Sequence, residues 1–302
     1  MLSVSLWLSS CFENQELNVE VFKAIDDMRR FSRSMRKQGK KIGFVPTLGA
    51  IHEGHRVLIG RSVEECGCTV VSIFLNPTQF DRKDDLENYP EFLEKDLAAC
   101  RKDGVHAVFA PSEKEMYRGG SLVMISIAHL ADKLCGMSRP GHFRGVMLIV
   151  AKLLNIVEPD TAYFGEKDIQ QLIIVKRMVQ DLDFPVEIAP VPLVRAKDGL
   201  ALSSRNENLT PSQHKSALKL NKALERIREL IEQAASDEDL SVSDILGEAA
   251  ESLVSDPAIE LDYFAAVDMD TLDDVTDIRK GTIFALAAYV GETRLIDNWI
   301  YR

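Results

Sequence analysis

The chain has 302 residues, of which 46% are hydrophobic and 27% charged, a composition typical of a folded protein with one large or two ordinary domains. Its formal net charge is −11 and its isoelectric point is about 5.1, which argues against a chain-wide basic surface for nucleic acid and leaves only a local patch open. The five cysteines have neither zinc-site spacing nor a disulfide framework, so we expect mostly structural free thiols in a reducing compartment. They are Cys11, Cys66, Cys68, Cys100 and Cys135.

The first 18 residues precede the regular patterns of the chain. Residues 1–12 are apolar, and Leu8-Ser9-Ser10-Cys11 loosely resembles a lipoprotein cleavage site. However, neither Lys nor Arg occurs before Lys23, and the apolar run is too short to span a bilayer. We therefore expect residues 1–18 to be a short extension rather than an export signal, and the protein to be cytoplasmic.

Helical and strand patterns alternate along the first two-thirds of the chain. Residues 19–36 have apolar side chains at helical spacing and a basic end, which suits a helix C-terminus. Residues 42–45 and 69–75 are apolar on both faces, as in interior strands of a parallel sheet. The further predicted elements are a helix at 90–101, strands at 105–110 and 122–127, a helix at 143–157, a strand at 161–164, a helix capped by Asp168 and a strand-rich segment at 186–194.

This alternation predicts an α/β fold, a Rossmann-like doubly wound parallel sheet, over residues 19–193. The pattern changes after Asp198-Gly199, and we predict a smaller C-terminal α+β lid domain over residues 194–302. Its predicted elements are helices at 211–235 and 242–254 and strands at 259–267, 282–290 and 293–297, with Gly291-Glu292 as a hairpin turn.

The segment PTLGAIHEGH, residues 46–55, lies between a predicted strand and a predicted helix. Helix N-termini carry partial positive charge and unpaired N–H groups, which attract anions, and glycines let a ligand approach the backbone. His52 and His55 at this helix start can donate hydrogen bonds to phosphate oxygens, although metal ligation and a core position stay open. The segment therefore predicts a nucleotide site at the carboxyl end of a strand.

Two further segments follow predicted strands. Asn76-Pro77-Thr78-Gln79-Phe80 offers side-chain amides that can bind hydroxyl or carboxylate groups, but by itself it is better explained as a plain turn. Gly165-Glu166-Lys167-Asp168 opens a helix with Gln170 and Gln171 in its next turn. Lys167 there can meet a phosphate, and a charged helix cap with a solvated lysine explains the segment equally well.

Two loops carry further polar groups. Residues 197–206 join the two domains and offer two hydroxyls and a guanidinium that can close over a triphosphate, with an ordinary linker as the alternative. Residues 138–145 place two arginines and a histidine before a helix, either as an anion site or as a plain helix start. We expect Asp84-Asp85, Asp181/Asp183 and Asp270/Asp273/Asp274 to be solvated surface groups. We predict no metal cage of protein ligands, and expect Mg²⁺ to be carried with ATP.

Taken together and in this order, the segments resemble the pantothenate synthetase (pantoate–β-alanine ligase) family. The resemblance covers the chain from about residue 19 to its C-terminus. Its HxGH element is shared by a broader nucleotidyltransferase-like superfamily, whereas GEKD..QQ and DGLALSSRN are far more specific. The segments that carry it are PTLGAIHEGH, SIFLNPTQF, DLENYP, SRPGHFRGV, NIVEPDTAYFGEKDIQQL, VPLVRAKDGLALSSRN and RLIDN.

The resemblance implies an enzyme that condenses pantoate with β-alanine, using ATP and releasing AMP and pyrophosphate through a pantoyl-adenylate intermediate. It implies a homodimer formed through the N-terminal domain, and we expect neither nucleic acid nor a membrane as a partner. By the same resemblance, His52, His55 and Lys167 are catalytic, with His55 as proton donor and Lys167 stabilising phosphate charge. Gln79 and Gln171 hold pantoate, Gln79 also lies near β-alanine, and Asn76, Arg139, His142 and Arg144 support them. The implied ATP-binding residues are Leu48, Gly49, Ala50, Ile51, His52, Glu53, Gly54, His55, Gly165, Glu166, Lys167, Asp168, Val194, Leu202, Ser203, Ser204 and Arg205.

The chain departs from the family pattern at three positions. Leu48 replaces the usual Met, Glu91 replaces a frequent Arg, and Thr78 stands where Met or Leu is frequent. None of these changes removes a polar contact named above, so we still expect activity. Three other functions compete: a nucleotidyltransferase that stops at the adenylated product, an RNA-binding synthetase fragment, and an inactive interaction protein. The acidic net charge argues against the RNA-binding fragment. The intact set of His, Lys, Gln, Ser and Arg side chains argues against the inactive interaction protein.

Overall fold

The computed structural model describes residues 19–80, 86–87, 89–90, 92–234 and 241–302. The N-terminal extension with Cys11, the pair Asp84-Asp85 and Glu91 lie outside the described residues.

The described residues form two sheets with helices packed against them. The strands of the first sheet are β1 Glu20–Phe22, β2 Ile42–Thr47, β3 Cys68–Ile73, β4 Ala107–Phe109, β5 Thr161–Gly165 and β6 Glu187–Val191. The helices are α1 Ile25–Lys37, α2 Glu53–Glu65, α3 Leu93–Lys102, α4 Glu113–Met116, α5 Cys135–Ser138, α6 His142–Val157, α7 Ile169–Asp181, α8 Pro211–Ala234 and α9 Val242–Val254. The strands of the second sheet are β7 Ile259–Asp268, β8 Thr282–Val290 and β9 Thr293–Ile300. Short 3₁₀ turns occur at Pro77–Gln79, Leu130–Asp132, Glu166–Asp168 and Ser204–Asn208.

The first sheet is parallel and has the strand order β1-β4-β3-β2-β5-β6. From β2 the chain winds outward through β3 and β4, and from β5 it winds in the opposite direction to β6. The order therefore reverses between β2 and β5, and ligands of such sheets bind beyond the carboxyl ends of the strands at this point. This architecture confirms the predicted doubly wound α/β fold.

Helices cover both faces of the parallel sheet, so its central strands are apolar on both sides. Phe44 of β2 packs in the same core cluster as α1, α6 and α7, whereas its neighbour Val45 packs with α2 and α3. Val70 and Val71 of β3 divide between the two clusters in the same way. This alternation follows from the two-residue period of a strand.

The second sheet is antiparallel, with the order β7-β8-β9, and is the predicted smaller α+β part. The predicted turn Gly291-Glu292 joins β8 to β9, with Gly291 at a φ of 60°. Phe284 and Leu286 of β8 pack with α8 and α9, while Ile283 and Ala285 belong to the core of the parallel-sheet domain. The small sheet thus lies between its own helices and the larger domain.

Two predicted elements are wrong. Residues 122–127 form no strand, because the described residues provide no partner strand for them, and Leu122, Val123 and Met124 are instead strongly exposed. The helix predicted over 19–36 begins only at Ile25, because residues 20–22 form β1 beside β4. The helical spacing of the apolar residues concealed this short edge strand.

The predicted boundary near residue 194 stays a prediction: β6 ends at Val191 and α8 begins at Pro211. Among the described residues, none of the helices is both long and apolar enough to cross a bilayer.

Candidate functional site

A cleft lies beyond the carboxyl ends of β2 and β5, where the strand order reverses. It consists of a cavity of about 200 Å³ over the sheet and a cavity of about 640 Å³ that extends to the C-terminal domain. The two cavities share Lys167, Asp168, Gln171, Ser203 and Arg205 in their linings. The cleft is therefore one continuous site between the two domains.

Most of the polar side chains predicted for the site meet in this cleft. The predicted residues in its lining are Leu48, His52, His55, Gln79, Arg139, His142, Lys167, Asp168, Gln171, Ser203, Ser204 and Arg205. The predicted residues outside its lining are Gly49, Ala50, Ile51, Glu53, Gly54, Asn76, Arg144, Gly165, Glu166, Val194 and Leu202.

His52 and His55 are stacked at the start of α2, with ring centroids 4.1 Å apart. His52 Nδ1 accepts the N–H of Gly54 at 3.1 Å, and His55 Nδ1 accepts the N–H of His52 at 3.4 Å. A neutral imidazole that accepts through Nδ1 carries its proton on Nε2. Both rings therefore offer the cleft an Nε2–H donor.

The surroundings keep both imidazoles neutral. Burial lowers the pKa of His52 to about 4, and the positive charge of Lys167 adds to this effect. Burial, followed by the charges of His52 and Lys167, lowers the pKa of His55 to about 3. At neutral pH the pair donates hydrogen bonds without carrying charge.

A buried carboxylate that the sequence analysis missed holds the turn before α2. Asp96 of α3 accepts the N–H groups of Ala50 at 2.9 Å and Ile51 at 2.7 Å, and its burial raises its pKa. Gly49, at a φ of 95°, donates to Thr47 Oγ1. The sequence contained a signal for this buried carboxylate, because Asp96 lies four residues before Cys100 and thus on the same helix face as an apolar residue.

The structure differs here from the prediction that backbone N–H groups of this turn face an anion. The N–H groups of residues 49–52 and 54 already donate to side chains of the protein. The cleft-facing donors are therefore side chains, and the backbone holds them in place.

Gly54 is needed for the histidine arrangement. A Cβ at this position would come within 2.8 Å of His52 Cε1 and within 3.9 Å of Leu202 Cβ. Leu202 thus lies behind the turn, with its N–H bonded to the carbonyl of Val194 at 3.0 Å. Val194 and Leu202 bring the linker up to α2.

Lys167 and Asp168 follow β5 and face the same cleft as the histidines. Asp168 occupies the predicted cap position of α7 but makes no capping hydrogen bond, and its carboxylate lies 3.8 Å from Lys167 Nζ. Burial alone would raise the pKa of Asp168, but the charges of Lys167 and Arg205 outweigh it and hold the pKa below its usual value. Asp168 is therefore an ionised carboxylate among cations.

Gln79 is positioned from below by Asn76, which is fully buried. Asn76 Nδ2 donates to Gln79 Oε1 at 3.1 Å and to the carbonyl of Gly145 at 3.2 Å, while its Oδ1 accepts the hydroxyl of Tyr117 at 2.6 Å. Asn76 thus does not reach the cleft, although the resemblance implied a supporting substrate contact. Only Gln79 presents an amide to the cleft from this turn.

His142 and Arg139 hold the other side of the Gln79 turn. His142 Nδ1 lies 2.7 Å from the carbonyl oxygen of Gln79, so it carries the proton and donates, and Arg139 Nη2 donates to the same oxygen at 3.3 Å. Arg144, in the same motif, is exposed.

The neighbouring glutamines of α7 have different surroundings. Gln170 is buried and donates to the carbonyls of Leu130 and Lys133, while its Oε1 accepts the N–H of Cys135. Gln171 lines the cleft. Gln170 therefore anchors the segment from Leu130 to Cys135, whereas Gln171 is available to a ligand.

The linker supplies the opposite wall of the cleft. Ser203 Oγ accepts the N–H of Arg205 at 3.2 Å, and Ser204 Oγ donates to Tyr89 Oη at 3.4 Å. Glu166 does not line the cleft, because it is buried and pairs with Arg302 near the C-terminus. The wall is thus rich in hydroxyl and guanidinium donors.

Within the part of the chain that the structure describes, no three His, Cys, Asp or Glu side chains form a cluster suited to a metal ion. Asp168 is an ionised carboxylate that lines the smaller cavity, and Mg²⁺ bound by phosphates and water needs few protein ligands. The donor set therefore fits a cation carried with a polyphosphate better than a protein cage.

The fold and the cleft define a nucleotide-binding α/β protein of the Rossmann-like class, with polar and cationic side chains gathered at the strand-order reversal. The profile of the Pantoate-beta-alanine ligase family matches residues 20–300. The chain therefore belongs to the pantoate–β-alanine ligase family.

Relatives and solved structures agree with this assignment. The chain is 45% identical to the pantothenate synthetase of Sulfurihydrogenibium sp. (strain YO3AOP1) over 282 residues. The alignment covers 93% of this chain and 99% of that protein. The chain is 44% identical to the pantothenate synthetase of Heliobacterium modesticaldum, and this alignment also covers 93% of this chain and 99% of that protein. The structure of the Thermus thermophilus pantothenate synthetase aligns with a TM-score of 0.88 at 40% identity, over 94% of this chain and 99% of that one. The Francisella tularensis ligase, solved with β-γ ATP and β-alanine, aligns with a TM-score of 0.77 at 34% identity, over 94% and 98%.

Proposed function

We propose that this chain condenses pantoate with β-alanine to pantothenate at the expense of ATP, through pantoyl adenylate. The observation that carries the proposal is the shared cleft, in which His52, His55, Lys167, Gln79 and Gln171 meet at the strand-order reversal. Family membership over residues 20–300 supports the same reaction.

In the first step, a carboxylate oxygen of pantoate attacks the α-phosphorus of ATP. The bond from that phosphorus to the oxygen bridging to the β-phosphorus breaks, and pyrophosphate leaves with the electron pair. Gln79 and Gln171 hold pantoate, while Lys167, Ser203, Ser204 and Arg205 hold the phosphates. Such catalysis rests on positioning and charge stabilisation.

The histidines act in this step as neutral hydrogen-bond donors. Their Nε2–H groups would bind phosphate oxygens as negative charge moves toward the leaving pyrophosphate. The depressed pKa values argue that His55 contributes a hydrogen bond rather than a proton from an imidazolium.

In the second step, the amine of β-alanine, after losing a proton from its ammonium form, attacks the acyl carbon of pantoyl adenylate. A C–N bond forms and the acyl C–O bond to the phosphate breaks. AMP leaves with that electron pair, and the nitrogen releases one further proton as the amide forms. Gln79 lies on the side of the cleft where we place β-alanine.

We propose that Mg²⁺ enters with the phosphates of ATP, and that Asp168, which lines the smaller cavity, would bind the ion or its waters. The ion would supply charge neutralisation for the leaving pyrophosphate. Asp168 suits this role because Lys167 and Arg205 keep it ionised.

We propose a cytoplasmic homodimer that associates through the N-terminal domain. Leu122, Val123 and Met124 are 101%, 66% and 78% exposed, and contiguous exposed apolar groups of this kind favour a protein interface. Sedimentation should show a dimer for the wild type and a monomer after Val123→Glu. A dimer that survives the substitution would place the interface elsewhere.

The reaction is tested by following AMP release with each substrate left out in turn. We expect AMP only when ATP, pantoate and β-alanine are all present. Pyrophosphate release without AMP, even when β-alanine is present, would favour a nucleotidyltransferase that stops at the adenylated product. AMP release that needs tRNA in place of β-alanine would favour an RNA-dependent enzyme.

A further inference from the structure

Two consecutive residues of β9 contact both phosphate-facing walls of the cleft. Asn298 is 5% exposed, and its Nδ2 donates both hydrogens, to the carbonyl of Glu166 at 2.8 Å and to the carbonyl of Lys167 at 2.9 Å. A side chain of the C-terminal domain thus holds the turn that carries the Lys167 ammonium.

The residue before it holds the linker. Asp297 accepts two hydrogen bonds from Arg195, at 2.6 Å and 2.8 Å, and Arg195 Nη1 also donates to the carbonyl of Gly199 at 3.1 Å. Asp297 Oδ1 also accepts the N–H of Asn298 at 2.7 Å. Because this linker leads directly into Ser203-Ser204-Arg205, its position fixes the opposite wall of the cleft.

We propose that Asn298 is a positioning residue that sets the location of Lys167 relative to the linker wall. This inference rests on the proposed function for the role of Lys167, but not for the contacts themselves. The turn at 166–168 and the linker belong to different parts of the chain, and Asp297-Asn298 contacts both. Removing the amide of Asn298 releases the Lys167 turn, whereas Gln79 keeps its own contacts with Asn76, Arg139 and His142.

The test measures pantoate-dependent exchange of labelled pyrophosphate into ATP. Asn298→Ala should slow exchange by up to about 100-fold, the cost of a misplacement of roughly 1 Å, while the KM for pantoate stays close to the wild-type value. Asn298→Ser keeps one hydrogen-bond donor, so its exchange rate should lie between those of the wild type and Asn298→Ala. It also supplies an assayable protein if the alanine variant unfolds, which thermal melting monitored by circular dichroism will show.

Two comparisons separate positioning from general domain docking. Asn298→Ala should add little to the loss already caused by Lys167→Ala, because residues that act as one are not additive. Arg302→Ala removes another link between the same turn and the C-terminal region, through the largely buried Glu166 side chain. It should change exchange by less than about threefold, because the carbonyls of Glu166 and Lys167 keep their hydrogen bonds to Asn298. An additive double variant, an equal loss in Arg302→Ala, or an unchanged Asn298→Ala would each overturn the inference.

The same double-variant comparison is made on ATP affinity by calorimetry, without pantoate. If the wild type exchanges no pyrophosphate but Asn298 and Lys167 remain coupled in ATP binding, the proposed reaction fails and the positioning role stands. If exchange occurs and the coupling is absent from both measurements, the reaction stands and the positioning role fails.

Discussion

At the residue scale, the state of the two cleft histidines is set by hydrogen bonds from the backbone. Each Nδ1 accepts a main-chain N–H, so protonation of either ring would break a bond at the start of α2. Lys167 adds a second cost to protonation, since two positive charges would then meet in one cleft. Neutral Nε2–H donors follow from this arrangement.

Loss of one donor should therefore affect the chemical step and leave the fold intact. We expect His55→Ala to lower the rate of adenylation by about 10²–10³-fold, the effect of removing one preorganised donor to the transition state. Single-turnover formation of pantoyl adenylate measures it, with circular dichroism to check folding. His106→Ala is the control, because His106 directly precedes β4 and so lies at the amino-terminal ends of the strands, away from the cleft. An unchanged adenylation rate would remove His55 from the mechanism.

The histidine pair should also make stability depend on pH. The folded pKa values, about 4 and about 3, lie below the value of about 6.5 expected in the unfolded chain. Unfolded chains therefore bind protons first, and stability present above pH 6.5 is lost as pH falls toward 4. Each histidine should lower the free energy of unfolding by up to about 2 kcal/mol between pH 7 and pH 5.

Urea unfolding at pH 7 and pH 5 measures this loss. The variant His52→Gln/His55→Gln should lose distinctly less stability between the two pH values than the wild type. Equal losses in both proteins would show that the two histidines are not the groups responsible. Asp168, whose charge favours protonation of both rings, stays in place in this comparison.

At the element scale, the close packing of α6 against the 3₁₀ turn of Gln79 positions the Gln79 side-chain amide, which we propose binds pantoate. Gly145 of α6 meets this turn so closely that an added Cβ would strike the carbonyl of Thr78 and come within 2.6 Å of the Gln79 nitrogen. The glycine is required by this contact, not by a left-handed backbone. It explains why SRPGHFRGV and NPTQF occur together in one site.

Gly145→Ala should therefore push the Gln79 turn away from α6. We expect a loss of about 1–3 kcal/mol in the free energy of unfolding, as for other overpacked sites, and a higher KM for pantoate. Gly247→Ala in α9 is the matched control, because a Cβ there meets nothing within 4 Å. It should stabilise the helix by about 0.5–1 kcal/mol. A normal KM for pantoate in Gly145→Ala would contradict the positioning of Gln79 by this contact.

At the scale of the whole molecule, the C-terminal part completes the cleft. Ile283 and Ala285 of β8 share the core of the parallel-sheet domain, and Asp297 of β9 holds the linker. We therefore expect the two parts to unfold together.

The ion pair between Arg195 and Asp297 gives the attachment of the linker to β9 a measurable energy. Asp297 is 2% exposed and Arg195 is 23% exposed, so Arg195→Ala leaves a buried carboxylate without its partner. We expect a loss of about 3–5 kcal/mol in the free energy of unfolding. Arg30→Ala, which removes a pair with Asp27 on the surface, should cost less than about 1 kcal/mol. Similar losses in both variants would mean that the Arg195–Asp297 pair behaves as a surface pair.

The local patterns of the sequence determined the order of most elements and the family. Alternating strands and helices predicted the doubly wound sheet, because strand and helix periodicities are properties of neighbouring residues. The motifs that contain His52, Gln79 and Lys167 follow β2, β3 and β5. Their common position was predictable, because the carboxyl ends of parallel strands meet on one side of a sheet. The strand at 122–127 was wrong, because a strand also needs a partner that local pattern does not reveal.

Only the tertiary structure decided how those side chains are held. The buried carboxylate of Asp96 and the amide of Asn298 behind Lys167 come from elements far away in the chain. Asn76, three residues before Gln79, is itself held by the distant Tyr117 and Gly145. Their partners are backbone groups and other side chains whose positions depend on the complete packing of both domains. The sequence by itself thus determined the family and predicted which groups carry the chemistry. The fold determined the tautomer, charge and position of those groups, because burial and hydrogen bonding exist only once distant segments meet.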